Sequence, residues 1–502
     1  MLFNSYEFLL VYLPLTLAGY FALGRRSATA AATWLAIASL AFYGWWDVRY
    51  LPLLGASIAF NYLMGGAIAR RAGTPAANRL LALAVGGDLL ALAWYKYAGF
   101  FASSANALLA AGLPVPEIVL PLGISFFTFT QIAYLVDAWA GKVRETRPVH
   151  YVLFVSYFPH LIAGPVLHHG EMMPQFDRLR NYRPRLNNFI IGGSIFIFGL
   201  FKKVVIADNL APNVGTVFDQ TSNPTLLVAW GGVLAYTFQL YFDFSGYSDM
   251  AIGLSRLFGV RLPLNFNSPY KATSITDFWR RWHMTLSRFL RDYLYVPLGG
   301  NRKGKARRYV NLLLTMLLGG LWHGAGWTYV LWGALHGIYL CIHHAWSALA
   351  RGWRLPRPLA VALTFGAVIV GWVFFRATSV AQALDILAGM AGLHGVALPE
   401  AIASQLGPLK APLAEMGVQF YFGKGAQFVS TWVWVALAAA IAFGLPNTQE
   451  WHHRFGPALE AVRSDRRAHL SLSSGWALGL GLACALCVVM LSQPSEFLYF
   501  QF

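Results

Sequence analysis

Charge is what this sequence has least of. Only 12% of its 502 residues are Asp, Glu, Lys or Arg, about half of the roughly 25% that a soluble domain carries. That scarcity excludes soluble, secreted and nuclear proteins. Cysteine is nearly missing as well: Cys341, Cys484 and Cys487 all lie in apolar runs, where they read as packed thiols and neither as disulfides nor as metal ligands. No repeat of fixed period, low-complexity tract or soluble domain interrupts the chain, so 1–502 reads as a single membrane domain.

What fills the space is apolar. Hydrophobic residues make up 57% and aromatics 15%, and the mean hydropathy is +0.51. About 20 apolar residues cross a bilayer, and runs near that length recur at 6–23, 34–46, 51–68, 80–94, 118–136, from 312–321 onward, and at 359–375, 429–445 and 470–491. The first run lacks a basic leader and a small-residue cleavage site, and reads as a retained helix. The expectation is an all-α polytopic membrane protein.

The 38 basic against 21 acidic residues, a net charge of +17, would suggest nucleic acid in a soluble chain. Here the basic residues sit in the joints between spans, so we assign them to positive-inside topology and exclude nucleic-acid binding. Arg25 and Arg26, then Arg70, Arg71 and Arg79, then Lys142, Arg144 and Arg147 mark cytoplasmic joints, as do Arg454, Arg463, Arg466 and Arg467. The joint 392–425 and the carboxyl-terminal 495–502 are assigned to the outside. Parity then forbids 100–113 from being a full crossing, and predicts a re-entrant or in-plane segment. The stretch 151–167, with Pro159, Gly164 and Pro165, must also break and return. Irregular backbone survives at membrane depth only around protein or a water-filled cavity, so these two segments predict a central cavity.

The chemistry concentrates between 271 and 345, the expected catalytic core. Lys271, Arg280, Arg281, Arg288, Arg291, Arg302, Lys303, Lys305, Arg307 and Arg308 face only Asp277 and Asp292. A helix from Ser274 to Tyr295, capped by Ser274 or Thr276, would place Trp279, Trp282, Leu286, Phe289, Leu290 and Tyr293 on one arc and the arginines on the other, the pattern of an interfacial amphipathic helix with His283 at the edge. The turn 297–304 combines glycines with cations, as a phosphate cradle would. His323 follows fifteen residues beyond Arg308, so a continuous helix carries it about 22 Å inward. A titratable side chain at that depth is functional by default. Gly319, Gly320, Gly324 and Gly326 around it imply that something approaches the backbone closely. Asp243 and Asp249 are intramembrane carboxylates, for which an ion pair with Arg280 or Arg281 is the leading expectation. His160, His168, His169, His336, His343 and His344 lack metal-ligand spacing, and no metal is expected.

Asp277-Phe-Trp-Arg-Arg-Trp-His283, Arg291-Asp-Tyr-Leu-Tyr295, Leu298-Gly-Gly-Asn-Arg-Lys-Gly304 and Gly319-Gly-Leu-Trp-His-Gly324 together resemble the membrane-bound O-acyltransferase superfamily, and within it the bacterial branch that O-acetylates alginate and other polysaccharides. The resemblance implies a multi-helix fold with re-entrant and interfacial helices around a central cavity. It implies His323 as the hallmark catalytic histidine and His283, forty residues earlier, at the position that is Asn or Asp in many eukaryotic members. It further implies acetyl-CoA as donor substrate, with no tightly bound cofactor, held by Arg302, Lys303, Lys305, Arg307 and Arg308. A periplasmic acetyltransferase partner and an extracytoplasmic polysaccharide would receive the acetyl group. Peptidoglycan O-acetylation, teichoic acid D-alanylation and a bond-neutral transporter are the alternatives.

Overall fold

The computed structural model describes residues 1–143, 146–350, 352–353, 355–462, 470–471, 473–492 and 498. Arg144, Arg463, Arg466, Arg467 and all of 495–502 except Leu498, which entered the topology argument, lie outside the described residues. Helices dominate. The first three, α1 (Leu13–Gly24), α2 (Ala28–Gly44) and α3 (Leu51–Ala69), begin where local chemistry starts them: Ser27 accepts from the amide of Ala30, and prolines occupy the first turns of α1 and α3. Then α4 (Pro75–Leu92), a π-helical turn (Ala93–Tyr97) and α5 (Ala98–Leu109) form one continuous rod of 35 residues. It spans about 50 Å, more than a hydrocarbon core of about 30 Å requires. The stretch 100–113, expected to be re-entrant or in-plane and no full crossing, is not a crossing of its own, but neither is it a separate segment: its first ten residues are the far end of this rod, and the backbone from 110 to 123 is non-helical. The apolar run 118–136 likewise begins as loop, because α6 starts only at Ile124, behind a left-handed Gly123, and ends at Trp139.

The second break falls where expected. Tyr157 interrupts α7 (Pro148–Ser156) and α8 (Phe158–Leu161), and irregular backbone leads to α9 (His169–Phe176). The centre is built on α10 (Leu186–Phe201), α11 (Asp208–Phe218) and α12 (Leu226–Leu257). Every residue of α12 from Ala235 to Leu257 is buried. It meets α10 through glycine on both sides: a Cβ at Gly192 would lie 2.7 Å from the Gly253 carbonyl oxygen, and one at Gly199 2.5 Å from that of Gly246. Small residues let backbones touch where lipid supplies no hydrophobic drive between helices.

Enclosure by protein explains why α12 carries charge. Asp243 pairs with Lys203 at 2.8 Å and Asp249 with Lys202 at 2.6 Å, while Lys203 also reaches Asp208 at 2.7 Å. The expected partners Arg280 and Arg281 are thus replaced by two lysines of the π turn that follows α10; Arg281 pairs with Asp277 instead. Among the described residues six helical segments are long and apolar enough to cross a membrane. The exception to the all-α character among the described residues is one short parallel pair, Ala397–Pro399 with Gln419–Tyr421.

The expected continuous helix 274–295 is also corrected. Ser274 does cap α13 (Ile275–Trp279), accepting from the amide of Asp277 at 3.1 Å. The chain then breaks at Arg280 to His283, restarts as α14 (Met284–Leu290), and finishes as a π turn, Arg291–Tyr295. Phe278, Trp279 and Trp282 pack inside the protein and not in lipid. Next come α15 (Gly304–His323), α16 (Trp327–Leu349) and α17 (Arg357–Arg376), with further helices at Val380–Met390, Gly425–Ala439 and Ser474–Met490 after them.

Candidate active site

His323 is the final residue of α15. The helix stops there because Gly324 and Gly326 take extended backbone before α16 begins. The two helices cross without side chains between them: a Cβ on Gly320 would lie 2.3 Å from the Tyr329 carbonyl oxygen, and one on Gly333 2.3 Å from that of Met316. This is the close approach that the glycines implied. It drives His323 into an aromatic chamber, with ring centroids of Trp322, Trp332 and Phe375 at 4.9, 5.0 and 5.2 Å. The chamber is the seam between two aromatic cores, one containing Trp322 and Phe289, the other Trp332, Trp282 and Phe375.

His283 occupies the break between α13 and α14, with φ at +42°. A non-glycine residue in this region costs about 1–3 kcal/mol and persists only where its surroundings impose it. Asn265 imposes it. Its backbone carbonyl accepts from the amide of Met284 at 2.9 Å. Its side-chain oxygen accepts from Thr285 Oγ1 at 2.9 Å and lies 3.1 Å from His283 Nδ1. An amide oxygen only accepts, so Nδ1 carries the proton and the lone pair is on Nε2. The fully buried His283 ring stands 6.4 Å from the His323 ring, centroid to centroid.

Two cavities lie near this pair, one of them with His323 in its wall. On the basic face a cavity of about 540 Å³ is lined by Arg280, Arg288, Arg291 and His344, and reaches Met284 and Thr285 beside His283 and Thr315 and Met316 on α15. Its volume lies within the roughly 300–1,000 Å³ of ordinary ligand sites. Beyond the end of α15 a smaller cavity, about 100 Å³, is lined by Trp46, Lys96, Gly123, Ser125, Trp322 and His323 itself. A third cavity of about 460 Å³, under the short strand pair, shares no lining residue with either of these.

The structure therefore brings His323 and His283 together and leaves the five expected donor cations outside. Arg302, Lys303, Lys305 and Arg307 are exposed on the turn and first helical residues of α15, Arg308 is half-buried beside Tyr309, and none of the five lines the basic-face cavity. Arg280, Arg288 and Arg291 do, from the segment read as an interfacial helix. Arg288 is held by a bidentate pair with Glu171 at 2.6 and 2.8 Å. Sequence reasoning missed Asn265 and Lys96. Asn265 gave no signal, but Lys96 did: it is a lone cation within a long apolar stretch, just past the run 80–94. Among the described residues no group of three or more His, Cys, Asp or Glu side chains is arranged to hold a metal ion.

Two imidazoles buried side by side in a multi-helix membrane protein, one of them lining a cavity, are the arrangement a membrane-embedded group-transfer enzyme would use. Residues 122–382 match the membrane-bound O-acyltransferase family. The chain is 42% identical over 517 aligned residues to the probable alginate O-acetylase of Pseudomonas putida, covering 100% of both chains. It is 46% identical to the peptidoglycan O-acetyltransferase of Helicobacter pylori, covering 79% of this chain and 81% of that one. A teichoic acid D-alanyltransferase of Streptococcus thermophilus is 31% identical over 45% of this chain and 57% of its own. The protein belongs to the membrane-bound O-acyltransferase family: it is a multi-pass O-acyltransferase of the bacterial inner membrane.

Proposed function

We propose that the protein takes an acetyl group from cytoplasmic acetyl-CoA and passes it, at His323, to an acceptor on the outer side for O-acetylation of an extracytoplasmic polysaccharide such as alginate or cellulose. One observation carries the reading: His323, buried at the end of α15, lines the smaller cavity, while the arginine-lined cavity reaches the residues next to His283 and the middle of α15. The basic face is cytoplasmic by the positive-inside rule, so the larger, arginine-lined cavity suits the phosphates of the donor. The smaller cavity is the outward one, through which a periplasmic acetyltransferase partner would collect the group. The alginate O-acetylase matched over its full length supports an exopolysaccharide acceptor; the peptidoglycan O-acetyltransferase supports a cell-wall acceptor with the same chemistry.

In direct transfer, an acceptor hydroxyl gives its proton to His323 as its oxygen bonds to the thioester carbonyl carbon; the carbon–sulfur bond then breaks, and coenzyme A leaves as the thiol. In the two-step route the imidazole nitrogen attacks first and holds the acetyl group until the hydroxyl removes it. His283, with its lone pair on Nε2, is an acceptor there, suited to receive a proton in the transfer and not to stabilise the carbonyl oxygen. The test is acetyl-CoA turnover by purified protein: His323→Ala should insert and purify normally yet lose transfer. Wild-type turnover in a stable His323→Ala variant would refute the reading. Trapping of acetyl on the protein, present in wild type and lost with His323, separates the two-step route from direct transfer.

A further inference from the structure

The last four carbonyls of a helix have no partner within the helix. At the end of α15 that vacancy falls inside the protein, around the catalytic histidine. One carbonyl, that of Gly320, accepts from the amide of Gly324 at 3.3 Å. The other three are satisfied by a single turn of the long rod. Tyr97 Oη donates to the Leu321 carbonyl at 2.8 Å, and Lys96 Nζ donates to the carbonyls of Trp322 at 2.5 Å and His323 at 3.1 Å, with Ser125 Oγ at 3.2 Å. Two N–H groups suffice for the two carbonyls, so the clamp holds whether or not the amine carries its third proton. Among the described residues no carboxylate pairs with Lys96; its partners are the helix end and one hydroxyl.

The turn that presents Lys96 and Tyr97 is the π-helical Ala93–Tyr97. A π turn inserts one extra residue into a helix and re-aims the side chains that follow, and such turns concentrate at functional sites. Lys96 also lines the smaller cavity with His323, on the side away from the arginine-lined one.

Resting on the reading of His323 as the transfer residue, we propose that Lys96 is its positioning residue, clamping the carboxyl end of α15 so that the imidazole is held in the wall of the smaller cavity. The clamp acts on the transfer step and not on donor binding, because neither Lys96 nor Tyr97 lines the basic-face cavity. Displacement of a reacting group by about 1 Å costs about a hundredfold in rate.

The experiment uses the full chain in detergent or proteoliposomes, with acetyl-CoA as the probe. Lys96→Met, which keeps the length and removes the donors, should lower kcat by about tenfold to a hundredfold while acetyl-CoA affinity stays within about twofold. Lys96→Arg, which restores donors, should recover part of kcat. Tyr97→Phe, which frees only the more distant Leu321 carbonyl, should lose less than Lys96→Met. In a His323→Ala background Lys96→Met should cause no further loss of residual transfer, because residues that act as a unit are non-additive. Wild-type kcat in Lys96→Met overturns the proposal. So does a parallel fall of kcat, donor affinity and thermal stability without recovery in Lys96→Arg, the mark of a purely structural role. Should Lys96→Met fail to insert, Lys96→Arg decides: reduced kcat at unchanged donor affinity supports the clamp, and any other result overturns it. Retained turnover in His323→Ala would refute the transfer role itself, whereas a dead His323→Ala beside a wild-type Lys96→Met would remove only the Lys96 inference.

Discussion

Replacement of Arg280 by Ala tests where the donor phosphates bind. Arg280 lines the basic-face cavity, and among the described residues none of the ion pairs involves it. Its neighbours are less informative targets: Arg288 is engaged with Glu171 at 2.6 Å and Arg291 with Asp292 at 2.7 Å, so replacing either also leaves a carboxylate without its partner and mixes that effect with the lost contact. A charge-assisted contact to phosphate contributes about 1.5–3 kcal/mol, which predicts acetyl-CoA affinity weakened by about tenfold to 150-fold in Arg280→Ala. The double variant Arg302→Ala, Lys303→Ala removes two exposed charges outside the cavity and should leave affinity within about twofold once correctly inserted protein is selected. Isothermal titration against acetyl-CoA and against acetyl-pantetheine, which lacks the nucleotide phosphates, makes the comparison specific: Arg280→Ala should affect only the former. The wild-type affinity for acetyl-CoA should also fall with ionic strength, because exposed charges are screened over about 10 Å at 0.1 M salt. Equal loss in the double variant, or unchanged affinity in Arg280→Ala, would refute the placement and return the phosphates to the turn preceding α15.

Gly333→Ala should cost about 1–3 kcal/mol in stability and reduce turnover further than that loss accounts for. Its Cβ would lie 2.3 Å from the Met316 carbonyl oxygen and push α15, and His323 with it, away from α16; Gly366→Ala, in open space on α17, is the control in the same thermal-melt and turnover assays. His283→Asn should retain more activity and a higher melting temperature than His283→Ala, because Asn tolerates a positive φ and keeps a polar group toward Asn265 whereas Ala does neither. Both should remain above His323→Ala in turnover. Equal melting of the Asn and Ala variants would remove the conformational argument for the break at His283.

Composition and hydropathy alone determined that this is a polytopic membrane protein, because burying or solvating so many apolar residues has no other solution at this charge content. Local chemistry was equally legible: the Ser274 cap, the break near Tyr157, and α15 as an uninterrupted helix that delivers His323 to depth all follow from residues adjacent in sequence. Tertiary structure decided what depends on residues far apart. Lys96 and His323 are separated by 227 positions, and no periodicity can pair them. Asp249 meets Lys202 at a separation of 47, not the nearer-looking arginines, because α10 and α12 touch through glycine and bring the π turn after α10 against α12. The helical wheel of 274–295 failed for a related reason: a wheel assumes continuous backbone, and Asn265, from an irregular segment with no signature of its own, bends the chain at His283. That bend turns Arg280, Arg288 and Arg291 from a membrane-facing stripe into the wall of a cavity. Sequence sets which groups are costly at depth; only packing decides which partner meets that cost.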